Sequence, residues 1–323
     1  MRRARAIARG RTAALAAALA LATLAAPAGT LQAQQTHVLL VTGLTGEPRF
    51  ANTFETAAAA VFDAARTQWK VADSSLIWLG EDPARDRARI RGRATKEGIA
   101  EAILALSQRV ASGDRVLVLL IGHGSGEREG ARVNVPGPDP TAADYRAWLS
   151  GFANQQVVFV NASSASGDFV EVLRGEGRVV VTATRSAYER NESIFAEHFA
   201  RGLGTGAADA DKDGRVSVLE ALAFADTEVD RQYETAGTLR SEHPLVSDST
   251  LAARVSFGPP AVGADNPRVR ALVAQRAELE QAVAQLRARK DQMEAPAYEA
   301  ELERLLLEIA EKNAEIRAAG GRP

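Results

Sequence analysis

Cysteine is absent from this chain of 323 residues. The absence excludes disulfide bonds, so the stability of the folded protein depends on an ordinary hydrophobic core. It also excludes a thiol nucleophile, so covalent catalysis in this chain would need another side chain.

The first 33 residues differ in composition from the rest. The apolar run 13–26 carries no charge and is short for a membrane span. Leu31-Gln32-Ala33 follows and offers a small-residue cleavage site. We therefore predict a secretory signal peptide over 1–33 and export to the periplasm or beyond, with an uncleaved anchor as the alternative. The arginines that precede the apolar run are Arg2, Arg3, Arg5, Arg9 and Arg11.

The chain also has no excess of positive charge. The chain has 39 Lys and Arg against 41 Asp and Glu, a net charge of −2. Without the five arginines of the signal peptide, 34 basic residues face 41 acidic ones, which gives −7. This balance argues against a nucleic-acid-binding protein.

Three apolar, β-branched runs dominate the middle of the chain, at 115–121, 156–161 and 178–184. Continuous apolar runs of this length are typical of strands buried on both faces of a parallel sheet. Helical patterns lie between them, as expected for repeated βαβ units. We predict a three-layer α/β/α sandwich over 36–255 with five or six mostly parallel strands.

The C-terminal part has a different pattern. A Gly- and Pro-rich segment, 256–265, predicts a linker. Leucines then recur every seven residues, and the pattern breaks at Pro296 and resumes, which predicts a coiled-coil helical hairpin over 266–318. Arg276 interrupts one of its core rows. The predicted role of this hairpin is a stalk or a seam for self-association.

Residues 209–220 match the calcium-loop pattern, with carboxylates at its first, third, fifth and last positions and Gly214 at the turn. A single loop predicts a weak, structural site for Ca²⁺. The alternative is a solvated acidic turn before a helix, where acids also suit the helix dipole. The predicted ligands are Asp209, Asp211, Asp213, the Arg215 carbonyl, Ser217 and Glu220.

Two potentially reactive groups follow the central strands, where sites of open α/β sheets gather. These groups lie in Gly122-His123-Gly124 and in Ser164-Ala165-Ser166-Gly167. With the segment 183–193, they resemble, in order, the catalytic His-Gly, the nucleophile segment and the pocket segment of legumain-like and caspase-like cysteine peptidases. The resemblance implies a caspase-like fold, peptidase ancestry and a substrate pocket that includes Arg185 and Glu189.

Ser164 stands where that family has its nucleophilic cysteine. A thiol becomes a thiolate beside a histidine, whereas a serine hydroxyl is far less acidic and needs a base oriented by a third group. No acidic residue is evident from the sequence as the partner of His123. His123 and Ser164 are therefore predicted as positions of a degenerate dyad.

Three functions remain open at this point. The first is an inactive peptidase homologue that binds or scaffolds a protein or peptide partner. The second is a serine hydrolase that uses Ser164 and His123. The third is a calcium-stabilised envelope protein that binds an unrelated ligand. An acid beside His123 would favour the second, an occluded Ser164 the first, and a separate strand-end cleft the third.

Overall fold

The computed structural model describes residues 34–127, 130–211, 213–258 and 266–321. The predicted signal peptide lies outside these ranges, as does most of the predicted linker. Cleavage of the signal peptide and export of the protein therefore stay predictions.

Within the described residues, a seven-stranded, mostly parallel sheet forms the centre of the α/β domain. Its strands are β1 (Thr36–Thr42), β2 (Leu76–Gly80), β3 (Gly92–Arg93), β4 (Arg115–Ile121), β7 (Gln156–Asn161), β8 (Arg178–Thr182) and β9 (Leu245–Val246). Their order in the sheet is β3-β2-β1-β4-β7-β8-β9, and of these seven only β9 runs antiparallel to its neighbour. A separate hairpin, β5 (Gly124–Glu127) and β6 (Gly130–Val133), follows β4.

Helices cover both faces of this sheet. One face packs against α1 (Pro48–Thr67), α5 (Phe195–Thr205), α6 (Val218–Ala236) and α7 (Ser249–Arg254). The other packs against α2 (Lys96–Ser107), α3 (Ala142–Leu149) and α4 (Phe169–Leu173). The predicted α/β class and mostly parallel sheet are thus confirmed.

The sequence of the central strands explains the two cores. In β1, Val38 and Leu40 belong to one core, whereas Leu39 and Val41 belong to the other. Side chains of a strand alternate between faces, so an unbroken apolar run supplies both cores at once. The burial of one large side chain contributes about 1.5–3 kcal/mol, so the central strands account for much of the core's stability.

Several element boundaries differ from the sequence expectation. Asn52, with Glu55 three residues later, matches a helix-start pattern and predicts that α1 begins there, but the helix begins at Pro48. Proline suits the first helical turn because its missing N–H would have no intrahelical partner there. The sequence likewise predicts a helix from about Asn191 to Arg201, but α5 begins at Phe195, because Glu242 binds the backbone N–H groups of Ile194 and Phe195.

The C-terminal residues form α8 (Pro267–Ala288) and α9 (Ala295–Ala318). Val269 and Leu272, at the start of α8, pack with Ile316 at the end of α9. Leu286, at the end of α8, packs with Leu305. These contacts describe two antiparallel helices that meet just before Pro296, while coiled-coil geometry stays a prediction. Across the described parts of the chain, every helix is too short or too polar to traverse a lipid bilayer.

A buried carboxylate joins the beginnings of β1 and β4. Asp114 accepts hydrogen bonds from the backbone N–H groups of Gln35 and Ala111, both at 2.9 Å, and lies 3.1 Å from His37 Nε2. Burial acts to raise the pKa of Asp114, but these hydrogen bonds outweigh it and hold the pKa below its ordinary value. Asp114 therefore contributes stability as a carboxylate.

We predict that Asp114→Asn lowers the free energy of unfolding by about 1–3 kcal/mol, because an amide cannot accept all three hydrogen bonds. Because the folded-state pKa is depressed, this contribution is present above the unfolded-state pKa of about 3.9 and is lost as the pH falls below it. Urea unfolding at pH 7 and pH 3 measures both effects. Asp73→Asn, at an exposed acid, is the control, and an equal loss in both variants would contradict the role of Asp114.

Candidate functional site

The dyad positions lie on neighbouring strand ends. His123 follows β4 and Ser164 follows β7, and these two strands pair in parallel. The hydroxyl of Ser164 lies 3.1 Å from the backbone nitrogen of Gly124 and 3.2 Å from its carbonyl oxygen. The structure therefore brings Ser164 to the residue directly after His123, at the same edge of the sheet.

The hydroxyl of Ser164 is committed to this backbone contact. It accepts a hydrogen bond from the Gly124 N–H and donates one to the Gly124 carbonyl. Only 3% of Ser164 is exposed, and its neighbours Ser163 and Ser166 are buried as well. A hydroxyl that donates to a carbonyl is not donating to a base, and an N–H that binds it is not available to an oxyanion.

Two glycines of the dyad motifs are explained by close packing at this edge. A Cβ atom on Gly124 would lie 2.2 Å from the carbonyl oxygen of Ser164. A Cβ atom on Gly167 would lie 2.2 Å from the backbone of Arg185 and Ser186. Both distances are far below van der Waals contact, so the edge excludes any side chain at either position.

Backbone strain follows immediately after Ser164. Ala165 has a φ of 53°, in the left-handed region that residues other than glycine rarely adopt. Such a conformation costs of the order of 1–3 kcal/mol and persists where surrounding contacts hold it. Here the Ala165 N–H donates to the Glu189 carbonyl, and the N–H groups of Ser166 and Gly167 both donate to Thr184 Oγ1.

His123 has an aromatic environment instead of a polar one. Its ring contacts Phe50 at 4.6 Å and Phe54 at 5.2 Å between centroids, both in edge-to-face arrangements. Among the described residues, no side chain or backbone group forms a hydrogen bond with the imidazole. The side chain of Glu127 lies outside what the structure describes. Glu129, the second acid that follows His123 in the sequence, also lies outside the described residues. Asp168, the acid that follows Ser164, has no hydrogen bond or ion pair with His123.

The two predicted pocket residues contact each other. Glu189 lies 2.9 Å from Arg185 Nε and also accepts a hydrogen bond from the Arg185 N–H. The same carboxylate binds the N–H and the Nδ1 atom of His243, the latter at 2.7 Å. Glu189 is therefore mostly buried and fixes the loop after β8 to the segment before β9, whereas the Arg185 side chain is exposed.

A separate cleft of about 480 Å³ lies at the ends of β1 and β2. Glu81 crosses it and accepts hydrogen bonds from the N–H and hydroxyl of Thr45. Its lining carries both signs of charge, from Glu47, Glu81, Asp82, Arg85 and Arg93. Neither His123 nor Ser164 lines this cleft.

The acidic loop brings three of its predicted ligands together. Carboxylate oxygens of Asp209, Asp211 and Asp213 all lie within 4.8 Å of one another. Gly214 has a φ of 83° and donates its N–H to Asp209, which closes the turn. Asp211 and Asp213 accept from backbone N–H groups two residues further on.

Glu220 uses its oxygens within the loop itself. One oxygen accepts from the N–H groups of Ala210 and Asp211, and the other accepts from the N–H and hydroxyl of Ser217. Glu220 and Ser217 thereby form the capping box that begins α6. Arg215 lies in the same turn, with its guanidinium directed at the Ser256 carbonyl.

The three aspartates repel each other electrostatically. Burial and the neighbouring charge of Asp211 raise the pKa of Asp213 to about 6. Burial also raises the pKa of Asp211, although Arg276 acts in the opposite direction. Crowded carboxylates with raised pKa values are relieved by a cation, and hard oxygen donors suit Ca²⁺. Asp209, Asp211 and Asp213 therefore form a group that could hold a metal ion. The other predicted ligands, Arg215, Ser217 and Glu220, are not part of this group, and calcium as the metal stays a prediction.

Comparison of the sequence with models of known protein families finds no match, and no curated protein matches the chain.

Several residues of these sites were missed by sequence reasoning. His243 and Glu242 occur in a stretch without periodicity, so no local pattern connects them to the loop after β8. Asn161, fully buried, binds the N–H and hydroxyl of Ser163. Arg276 did give a signal, since it interrupts an apolar row of α8, but its partner Asp211 lies 65 positions earlier in the chain.

We predict that millimolar calcium raises the melting temperature of the protein by a few degrees. A site of the weak extracellular type has a dissociation constant of about 0.1–1 mM, so millimolar calcium stabilises the folded state by about 0.4–1.4 kcal/mol. Calorimetry with calcium against chelator measures the shift, and magnesium at equal concentration controls for ionic strength.

The matched variant for this experiment is the double substitution Asp209→Asn with Asp213→Asn, which removes two of the clustered carboxylates. We expect no calcium shift in it. If wild type melts at the same temperature in calcium and in chelator, the loop is an acidic turn and no more.

Proposed function

We propose that residues 36–255 are an exported caspase-like and legumain-like domain that has lost peptidase activity and binds a protein or peptide partner. The observation that carries this proposal is the pair of hydrogen bonds between the Ser164 hydroxyl and the backbone of Gly124. The hydroxyl at the nucleophile position serves to join two strand ends.

The surroundings of His123 support the same proposal. A serine nucleophile needs a histidine base whose second nitrogen is held by a carboxylate or an equivalent group. The His123 ring packs on Phe50 and Phe54, and no described residue holds either nitrogen. Within the described residues, the His123 ring is therefore positioned by aromatic packing and not by a hydrogen bond to one of its nitrogens.

The loop after β8 is suited to bind a partner. Glu189 holds it from within, and Arg190 donates to the carbonyl of Gly126 in the neighbouring hairpin. On this fixed loop, Tyr188 is 87% exposed and the Arg185 side chain is 62% exposed. Tyrosine and arginine are enriched among the residues that dominate binding energy, and a fixed loop loses little entropy on binding.

The other features complete the proposal. Ca²⁺ would be held by the acidic loop as a structural ion. The hairpin of α8 and α9 would serve self-association, since Leu306 and Leu307 of α9 remain about half exposed. The basic start, the apolar run and the lack of cysteine disulfides are consistent with export of a protein stabilised by its core.

Two other functions each have a supporting observation. A serine hydrolase is supported by the position of His123 and Ser164 at one sheet edge. A calcium-stabilised envelope protein with an unrelated ligand is supported by the cleft at the ends of β1 and β2, which neither dyad residue lines.

We predict that Ser164→Ala lowers the free energy of unfolding by about 1–3 kcal/mol, because two partly buried backbone groups of Gly124 lose their partner. It leaves the slow background hydrolysis of peptide and ester substrates unchanged. Denaturant unfolding and turnover are measured on the same preparations with calcium present. Ser150→Ala, at an exposed helix end, is the control and should change neither quantity.

The opposite pattern would establish the serine hydrolase. In that case Ser164→Ala would abolish turnover, and a fluorophosphonate probe would label wild type at Ser164. Unchanged stability together with lost turnover is incompatible with the structural role proposed for this hydroxyl.

A further inference from the structure

A buried arginine connects the C-terminal hairpin to the acidic loop. Arg276 of α8 is 3% exposed, and its Nη2 atom donates a hydrogen bond of 2.6 Å to Asp211. Its Nε atom lies 3.2 Å from the carboxylate of Glu280, one helical turn later. Within the described residues, its Nη1 atom has no hydrogen-bond partner. A positive charge thus already lies beside the three clustered aspartates.

Both oxygens of Asp211 are in use in this arrangement. Oδ1 accepts from the N–H of Asp213 within the loop, and Oδ2 accepts from Arg276. The first hydrogen bond belongs to the fold of the loop itself. A metal ion that takes an oxygen of Asp211 therefore competes with Arg276, both for the oxygen and through repulsion between two cations.

The apolar packing of the C-terminal hairpin is internal to the hairpin. Both apolar clusters of the hairpin consist, in the described part of the chain, of residues from the hairpin alone. The loop, in contrast, is integrated in the α/β domain, because Val216 is buried in its core and Val218 donates its N–H to the carbonyl of Val255. The ion pair between Arg276 and Asp211 therefore joins two parts whose apolar clusters are separate.

We propose that Arg276 is an internal cation that competes with Ca²⁺ for Asp211, so that calcium binding releases Arg276 and loosens the hairpin from the α/β domain. This proposal rests on calcium binding by the loop. The position of the hairpin then depends on the calcium concentration. At low calcium it is bound to the loop through Arg276, and at high calcium it is detached.

The chemistry of Arg276 makes both states accessible. A guanidinium has five N–H donors, and burial with an unpartnered Nη1 atom is unfavourable. On release, every donor regains water. When the ion is absent, Arg276 offsets part of the repulsion among Asp209, Asp211 and Asp213. Because the coupling is reciprocal, calcium weakens the hairpin's attachment by the same factor by which Arg276 weakens calcium binding.

Calorimetric titration of the full chain with calcium tests the competition. We expect Arg276→Gln to bind calcium about tenfold more tightly than wild type, within the range typical of coupled sites. Arg276→Lys, which keeps the charge, should stay close to wild type. The matched control is Arg270→Gln, at an exposed arginine of the same helix, and it should leave the affinity unchanged.

A distance measurement tests the release without any change at Arg276. Because the chain has no cysteine, Gln275→Cys in α8 and Thr227→Cys in α6 provide two unique, exposed positions for spin labels. Pulsed electron resonance should give one narrow distance in chelator and a longer, broader distribution in calcium. An unchanged distribution in calcium would overturn the release.

The outcomes separate this proposal from the calcium site itself. Equal calcium affinity of wild type and Arg276→Gln would leave the site in place and overturn the competition. Binding by Arg276→Gln with none by wild type would support a strong competition. Absence of binding in both proteins would overturn the calcium site and this proposal together.

Discussion

The contact between Ser164 and the backbone of Gly124 fixes the structure of the sheet edge formed by the carboxyl ends of β4 and β7. Parallel strands bring their carboxyl ends to one edge, and here two of those ends approach until no Cβ atom fits at Gly124. The hydroxyl between them satisfies a donor and an acceptor of the backbone. An edge built in this way is rigid, and the hydroxyl of Ser164 is engaged by the Gly124 backbone as both donor and acceptor.

That rigidity extends along the edge to the loop after β8. The Glu189 carbonyl accepts from Ala165, and its carboxylate binds Arg185 and His243. The strained backbone at Ala165 is therefore held from the same loop that presents Tyr188 to solvent. The proposed binding of a partner would use this surface.

The sequence was sufficient for the features that depend on local patterns. Unbroken apolar runs predicted the buried parallel strands, and the order of motifs placed His123 and Ser164 at one edge. The start of α1 was misplaced because Asn52 resembles a cap, while Pro48 already fixes a helical backbone at the first turn. The partners of Glu189 could not be predicted, since His243 lies 54 positions away in a stretch without periodicity.

The acidic loop shows the same division between local and distant information. The spacing of Asp209, Asp211 and Asp213 within one loop predicted that their carboxylates converge, and they do. What the spacing could not reveal is that Glu220 has all its oxygens engaged by the loop's own N–H groups and Ser217, and that Arg276 approaches from another helix. An apolar row interrupted by a charge is costly for a helical hairpin. The charged residue in the apolar row of α8 is therefore explained by its ion pair with Asp211 of the acidic loop.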